Sequence, residues 1–133
     1  MRLPNVIDWN WDMKSRMTVT MSYLPTLSVN RYKTAQGIIR REVKEWMDEL
    51  TMVLLLMTNS QEIKWRPPIK LRLDAQFKDR RHPDLHNLIK PICDSVKEGI
   101  GIDDKHFRVE DGDVVIAGKD KEPRLRITVE GMD

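Results

Sequence analysis

The sequence predicts an α+β fold in a single domain, and three observations carry that prediction. Short stretches of alternating apolar and polar residues mark strands. Two longer stretches with apolar residues spaced three and four apart mark helices. Their order along the chain is β-α-β-α-β-β, which suits a small mixed sheet with both helices on one face. A chain of 133 residues holds one ordinary hydrophobic core.

Met17 to Tyr23 alternates strictly, with Met17, Val19, Met21 and Tyr23 on one side and Thr18, Thr20 and Ser22 on the other, as a half-buried strand requires. Leu24-Pro25 and Ser28-Val29-Asn30 break it into a loop. Thr34 can cap a long helix in which Ile39, Val43, Trp46, Met47, Leu50, Val53, Leu54 and Met57 form the apolar stripe, with Asn59-Ser60 at its end. Pro67-Pro68 introduces a second strand, with Ile69, Leu71, Leu73, Ala75 and Phe77 inward and Lys70, Arg72, Asp74, Gln76 and Lys78 outward. A second helix is predicted over Asp84 to Glu98, its stripe made by Leu85, Leu88, Ile89, Ile92, Cys93 and Val96, with Gly99 and Gly101 as stop signals. One strand ending in Val114-Val115-Ile116 and one carrying Leu125, Ile127 and Val129 close the chain. Residues 1–16, with Trp9 and Trp11, form an extension before a domain over 17–133. That extension is expected to be either an extra edge strand or an arm onto a partner subunit.

Composition narrows the function classes. Apolar residues are 40% and charged residues 33%, the balance of a globular chain and not of a disordered one. The longest apolar run, Met52 to Met57, is far short of the roughly 20 residues a membrane span needs. No basic segment followed by an apolar stretch opens the chain, so no secretory signal is expected. Cys93 is the single cysteine, which rules out an internal disulfide and suits a reducing cytoplasm.

The net charge of +2 decides little, but its distribution is uneven. Between Lys64 and Arg81 seven basic residues face two acidic ones, whereas between Asp103 and Asp113 five acidic residues face two basic ones. A basic stretch beside an acidic one suits a protein that grips phosphates and holds a cation. It equally suits a solvated surface of mixed sign.

Chemistry concentrates around the second helix. At 100° per residue, His86, Asn87, Lys90 and Asp94 lie opposite its apolar stripe. Asp84 stands at the helix start, where free N–H groups favour a carboxylate. After the turn Gly99-Ile100-Gly101 the chain presents Asp103-Asp104. If that loop folds back along the helix, Asp84, His86, Lys90 and Asp104 meet in one pocket. Phosphodiester hydrolysis asks for such a set: carboxylates to hold Mg²⁺, a lysine to steady phosphate charge, and cations such as Lys78, Arg80 and Arg81 to seat neighbouring phosphates. Taken singly, each residue has a plainer role. Asp84 serves as an N-cap, Asp103-Asp104 as turn residues, and Lys90 with Asp94 as an i,i+4 surface pair.

The run Asp79-Arg80-Arg81-His82-Pro83-Asp84-Leu85-His86-Asn87-Leu88-Ile89-Lys90-Pro91-Ile92-Cys93-Asp94, followed by Gly99-Ile100-Gly101-Ile102-Asp103-Asp104, resembles the RusA family of Holliday junction resolvases. The family pattern is Asp-x-Asp-Asn-x-x-Lys on a helix, an Asp one turn later, then a Gly turn and an Asp-Asp pair. The segment from Leu24-Pro25 to Asn30-Arg31 is similar to the family's Pro-rich loop ending in Asn. The resemblance runs from about Thr18 to Glu130. It implies a Mg²⁺-dependent endonuclease (Mn²⁺ being the alternative ion) that acts on branched, four-way DNA as a homodimer. It implies Asp84, Lys90 and Asp104 as catalytic residues and Asp84, His86, Asp103 and Asp104 around the metal. Asn87 and Asp94 support the site, and Lys78, Arg80, Arg81, Asn30 and Arg31 contact DNA.

The chain departs from the pattern at one position. His86 stands where the family has the second Asp of Asp-x-Asp, and imidazole is a neutral, softer ligand than carboxylate. The site can work with His86 as ligand, shift toward Mn²⁺, or lose catalysis. A non-catalytic binder of branched DNA is therefore the second reading, and an interaction protein with a solvated charged face the third. Pro91, which lacks an N–H, is expected to kink the helix near the Asn87 carbonyl.

Overall fold

The computed structural model describes residues 2–12 and 15–132. Residues 1, 13 and 14 of the extension lie outside those described. The elements are β1 (Val6–Asp12), β2 (Arg16–Ser22), α1 (Arg41–Ser60), β3 (Ile69–Phe77), α2 (Ile89–Ile100), β4 (Phe107–Ile116) and β5 (Arg124–Glu130). Short 3-10 turns occupy Pro25–Leu27, Leu85–Leu88 and Asp104–His106.

One mixed sheet has the order β1-β2-β5-β3-β4. All neighbours are antiparallel except β3 and β4, which run parallel. A parallel pair needs a crossover, and α2 supplies it. The alternation read from the sequence sets which face is inward. Met17, Val19 and Met21 of β2, Ile69, Leu71 and Leu73 of β3 and Leu125, Ile127 and Val129 of β5 are all fully buried. They meet the stripes of α1 (Val43, Trp46, Leu50, Leu54) and α2 (Ile92, Val96) in one core. At about 25 cal/mol per Å² of apolar surface, this burial is the main term favouring the fold. Trp46 also ties helix to sheet, its indole N–H donating to the Ser22 carbonyl at 2.7 Å.

Two boundaries differ from the sequence expectation. The long helix starts at Arg41, not after Thr34. Thr34 instead closes a tight turn: its N–H donates to the Ile38 carbonyl at 2.7 Å, and Lys33 bridges to Ile39. Gly37, at φ +81°, makes that turn possible. The second helix is broken into two pieces, a 3-10 turn over Leu85–Leu88 and then α2. Pro91 consequently falls in the first turn of α2, where its missing N–H has no intrahelical partner to lose. It imposes no kink on an interior turn, and the Asn87 carbonyl accepts instead from Val29 N–H at 2.7 Å.

Of the two expectations for the extension, the strand is the one observed. β1 pairs with β2 and places Trp9 opposite Val19 and Trp11 opposite Met17. Trp11 packs on the core, whereas Trp9 is largely exposed. The segment is bolted to α1 by Asn5, whose N–H and side-chain amide donate to the buried Glu49 carboxylate at 2.8 and 2.6 Å.

Candidate active site

The residues singled out by the sequence lie on both sides of α2. The chain leaves β3 at Phe77 and is held at once by aromatic packing. His82 stacks on Phe77 with centroids 4.3 Å apart, and Tyr23 meets the same ring edge-on at 5.0 Å. Asp84 follows with extended backbone, and its carbonyl accepts from Asn87 N–H at 3.0 Å. Its side chain makes no capping hydrogen bond and is exposed. The plain N-cap role is therefore not the one its carboxylate fills.

His86 and Asn87 sit in the 3-10 turn, so the arc drawn for one continuous helix does not hold across it. His86 is exposed and Asn87 half-buried. Lys90, in the first turn of α2, donates to Asp94 one turn on at 3.1 Å. That hydrogen bond and the Asp94 charge hold the Lys90 ammonium above the usual lysine range, with smaller contributions from Tyr32 and Asp104. Cys93 lies between them. Burial first, then the charges of Asp104 and Asp94, push its thiol up to about 11. Lys90, Cys93, Asp94 and Asp104 thus share one electrostatic neighbourhood.

Gly101, left-handed at φ +72°, ends α2 and turns the chain toward Asp103 and Asp104. Asp103 accepts from Lys105 N–H at 3.2 Å. That bond and a hydrogen bond with Asp104 hold the Asp103 carboxyl below the usual carboxylate range. Asp103 is a turn residue in this sense, while Asp104 opens the following 3-10 turn.

Asp84 follows the C-terminal end of β3, and Asp103-Asp104 precede the N-terminal end of the parallel β4. The 12 residues of α2 lie between them in the chain, yet Asp104 acts electrostatically on Lys90 in the first turn of that helix. Lys90, Asp94 and Asp104 are brought together. Among the described residues no three His, Cys, Asp or Glu side chains converge on a common metal position. The donor chemistry nevertheless suits a hard cation. Mg²⁺ binds through one or two carboxylates and fills its shell with water and substrate phosphate.

A second feature adjoins the Asp84 end. The loop after β2 is pinned to the 3-10 turn by Val29 N–H on the Asn87 carbonyl, and to the start of α1 by Arg40, whose side chain donates to the Arg31 carbonyl at 2.6 Å. Between this loop and residues 80–83 lies an open cleft of about 520 Å³. Asn30, Arg31, Arg80, Arg81, His82 and Asn87 line it. Four of the five residues expected to contact DNA therefore share one surface. Lys78 does not line the cleft. The Arg81 guanidinium meets Asp79 at 3.2 Å, which tempers its charge.

Comparison with known families decides what this arrangement belongs to. A profile described as "Endodeoxyribonuclease RusA" matches residues 14–130. The chain belongs to the RusA family. No curated protein matches it. Among solved structures, the periplasmic domain of Helicobacter pylori MotB is similar at 10% identity and TM-score 0.44, covering 90% of this chain and 76% of that one. Plasmodium falciparum IspF in complex with CDP is similar at 16% identity and TM-score 0.35, covering 79% and 68%. At these scores neither likeness bears on fold or function.

The RusA match begins at residue 14, so all of β1 precedes it. Three residues near the RusA motif carried no sequence signal. Cys93 is a core side chain by pattern and Tyr32 is buried in the loop before α1, yet both neighbour the charges around Lys90. His82 reads as a loop histidine, and only the ring of Phe77 beneath it reveals its role as an anchor. The adjacency of Phe77 and His82 across five residues was the one available hint.

Proposed function

We propose that this RusA-family chain is a divalent-metal-dependent endodeoxyribonuclease that resolves four-way DNA junctions by paired, symmetric nicks, acting in the cytoplasm as a homodimer. The observation that carries the reading is the RusA match over residues 14–130, and the motif resemblance supports Asp84, Lys90 and Asp104 as its catalytic residues.

Each residue has a task in that reaction. Asp84, free of any capping bond, and Asp104 are the carboxylates that would hold Mg²⁺ or Mn²⁺, with His86 and Asp103 beside them. When bound, the ion supplies charge for the scissile phosphate and lowers the pKa of the attacking water. Lys90 stays protonated because Asp94 holds its proton, so it stabilises negative charge on phosphate and does not serve as a base at neutral pH. Asn87 is fixed through its backbone and orients the cleft, where Arg31, Arg80 and Arg81 seat neighbouring phosphates.

A second reading, a binder of branched DNA without cleavage, rests on His86 in place of a carboxylate. One assay separates the two: a synthetic four-way junction incubated with the protein and Mg²⁺ or Mn²⁺. Paired nicks at symmetric positions support the nuclease. Salt-sensitive binding with no product under either ion supports the binder.

A further inference from the structure

Three rings meet beside the cleft that lies between the loop after β2 and residues 80–83. Phe77, the last residue of β3, is buried. Tyr23 meets it edge-on at 5.0 Å, and His82 lies flat on it at 4.3 Å with the two planes 5° apart. His82 is fixed in two ways. Phe77 covers its inner face, and its Nδ1 stands 2.9 Å from the Pro83 carbonyl, which can only accept and so makes that nitrogen the donor. The outer face and the Nε2 edge are what this half-buried ring offers to the cleft it lines. A flat ring held rigidly with one face open is a stacking surface, and little entropy is lost in using it.

The rest of the lining has the chemistry of a nucleotide site. At about 520 Å³ the cleft falls in the size range of sites that hold one small ligand, roughly 300–1,000 Å³. Arg31 and Arg80 bring positive charge for a phosphate. Among the described residues, the side-chain amides of Asn30 and Asn87 and the Tyr23 hydroxyl make no hydrogen bond. An amide sets a donor beside an acceptor, the pattern that pairs with the N6/N7 edge of adenine. Burial pushes the Tyr23 hydroxyl above its usual range against the pull of Arg31, so it keeps its proton. Seating phosphate requires the guanidinium groups but not the ring. A paired base hides both its faces in the helical stack, so only an unpaired base can use the open face of His82.

We propose that the cleft is a subsite for one unpaired nucleotide, its base stacked on the outer face of His82 and its phosphate held by Arg31 and Arg80. This rests on the branched-DNA reading above and names the feature of a branch that a continuous duplex lacks. Taking a base out of a regular stack costs free energy, and the cost is least where pairing is already interrupted, as at a strand-exchange point. His82 stands two residues before Asp84 in the chain. A nucleotide stacked there lies at the Asp84 end of the site, and its recognition selects branched over paired DNA.

The test measures binding by the full chain through fluorescence anisotropy without added metal, so that no cleavage is needed. The probes are a duplex with a single bulged adenosine and the same duplex with an abasic residue in the bulge. Wild type is expected to bind the adenosine bulge about tenfold more tightly, the difference one stacked base makes. His82→Ala should bring the two probes to equal affinity, whereas His82→Phe, which keeps the flat ring, should retain most of the preference. Arg80→Ala should weaken both probes alike. Circular dichroism verifies that the variants keep the wild-type thermal midpoint. Equal affinity of wild type for the two bulges would overturn the proposal without recourse to any variant. So would a preference that survives His82→Ala in a folded protein. Failure of the nuclease reading would look different: the base preference present, with no nick in a four-way junction under Mg²⁺ or Mn²⁺. Failure of the subsite alone would leave metal-dependent nicking intact.

Discussion

Asp84 and Asp104 are accessible enough that removing their charge should spare the fold. Asp84 is exposed, Asp104 half-buried, and neither belongs to the core. Asp84→Asn and Asp104→Asn should each reduce junction cleavage by at least about 100-fold, with unchanged thermal midpoints by circular dichroism. Lys90→Ala should lower cleavage and also release Asp94 from its hydrogen bond, whereas Lys90→Arg should restore part of the rate. His86→Asp is the most informative change at this scale. A third carboxylate near Asp84 should raise the Mg²⁺-dependent rate by roughly tenfold or more, and the same rate in both proteins would show that position 86 does not touch the ion. These identities were legible because motif spacing is a property of the chain. Their grouping was not. Asp104 acts on Lys90 in the first turn of α2 once the left-handed Gly101 has turned the chain, and the path of a loop leaves little mark on local sequence.

At the scale of elements, two glycines report close approaches. A Cβ on Gly99 would stand 2.7 Å from the Leu54 Cβ and 3.1 Å from the Thr51 carbonyl, where α1 crosses α2. Gly99→Ala should therefore destabilise by about 1–3 kcal/mol, read as a lower urea midpoint, even though alanine is the better helix former. A Cβ on Gly112 would stand 2.3 Å from the Asp74 Oδ1. Asp74 is the buried acid of the sheet. It accepts from the Arg72 guanidinium and from Asp113 N–H, and so holds the bulge in β4. Burial pushes its carboxyl up, but the Arg72 hydrogen bond, the Asp113 N–H and the charges of Arg72 and Arg126 outweigh burial and hold it below the usual range. A lowered folded pKa gives stability that is present above the unfolded value of about 3.9 and lost as pH falls through the folded one. Denaturation followed by fluorescence should show that acid loss in wild type and a shallower pH dependence in Asp74→Asn. The alternation of β3 placed Asp74 outward, which is correct for direction. Its burial comes from Arg72 and the β4 bulge lying over it, and a cross-strand neighbour cannot be read from one strand. The same holds for Thr34, whose capping chemistry was legible but served a turn at Gly37 instead of the helix at Arg41.

For the whole molecule, the α+β class, the two helices and four of the five strands followed from periodicity, because one buried face imposes period two on strands and a repeat of three and four on helices. β1 did not follow, since its outer face is solvent and its bulge near Ile7 disrupts the alternation. The cleft lined by Arg31 and Arg80 should make DNA binding strongly salt-dependent. Replacing both by Ala should lower the slope of log K against log salt by about 2, one per lost phosphate contact, as measured by fluorescence anisotropy on a four-way junction. The most direct measurement of all is cleavage of that junction, with each of the four strands labelled in turn, under Mg²⁺ and under Mn²⁺. A metal-dependent nuclease built on Asp84, Lys90 and Asp104 predicts nicks in one opposed pair of strands at symmetric positions, abolished by chelation and by Asp104→Asn. Tight binding with all four strands intact under both ions, or nicking that persists in Asp84→Asn and Asp104→Asn, would contradict it.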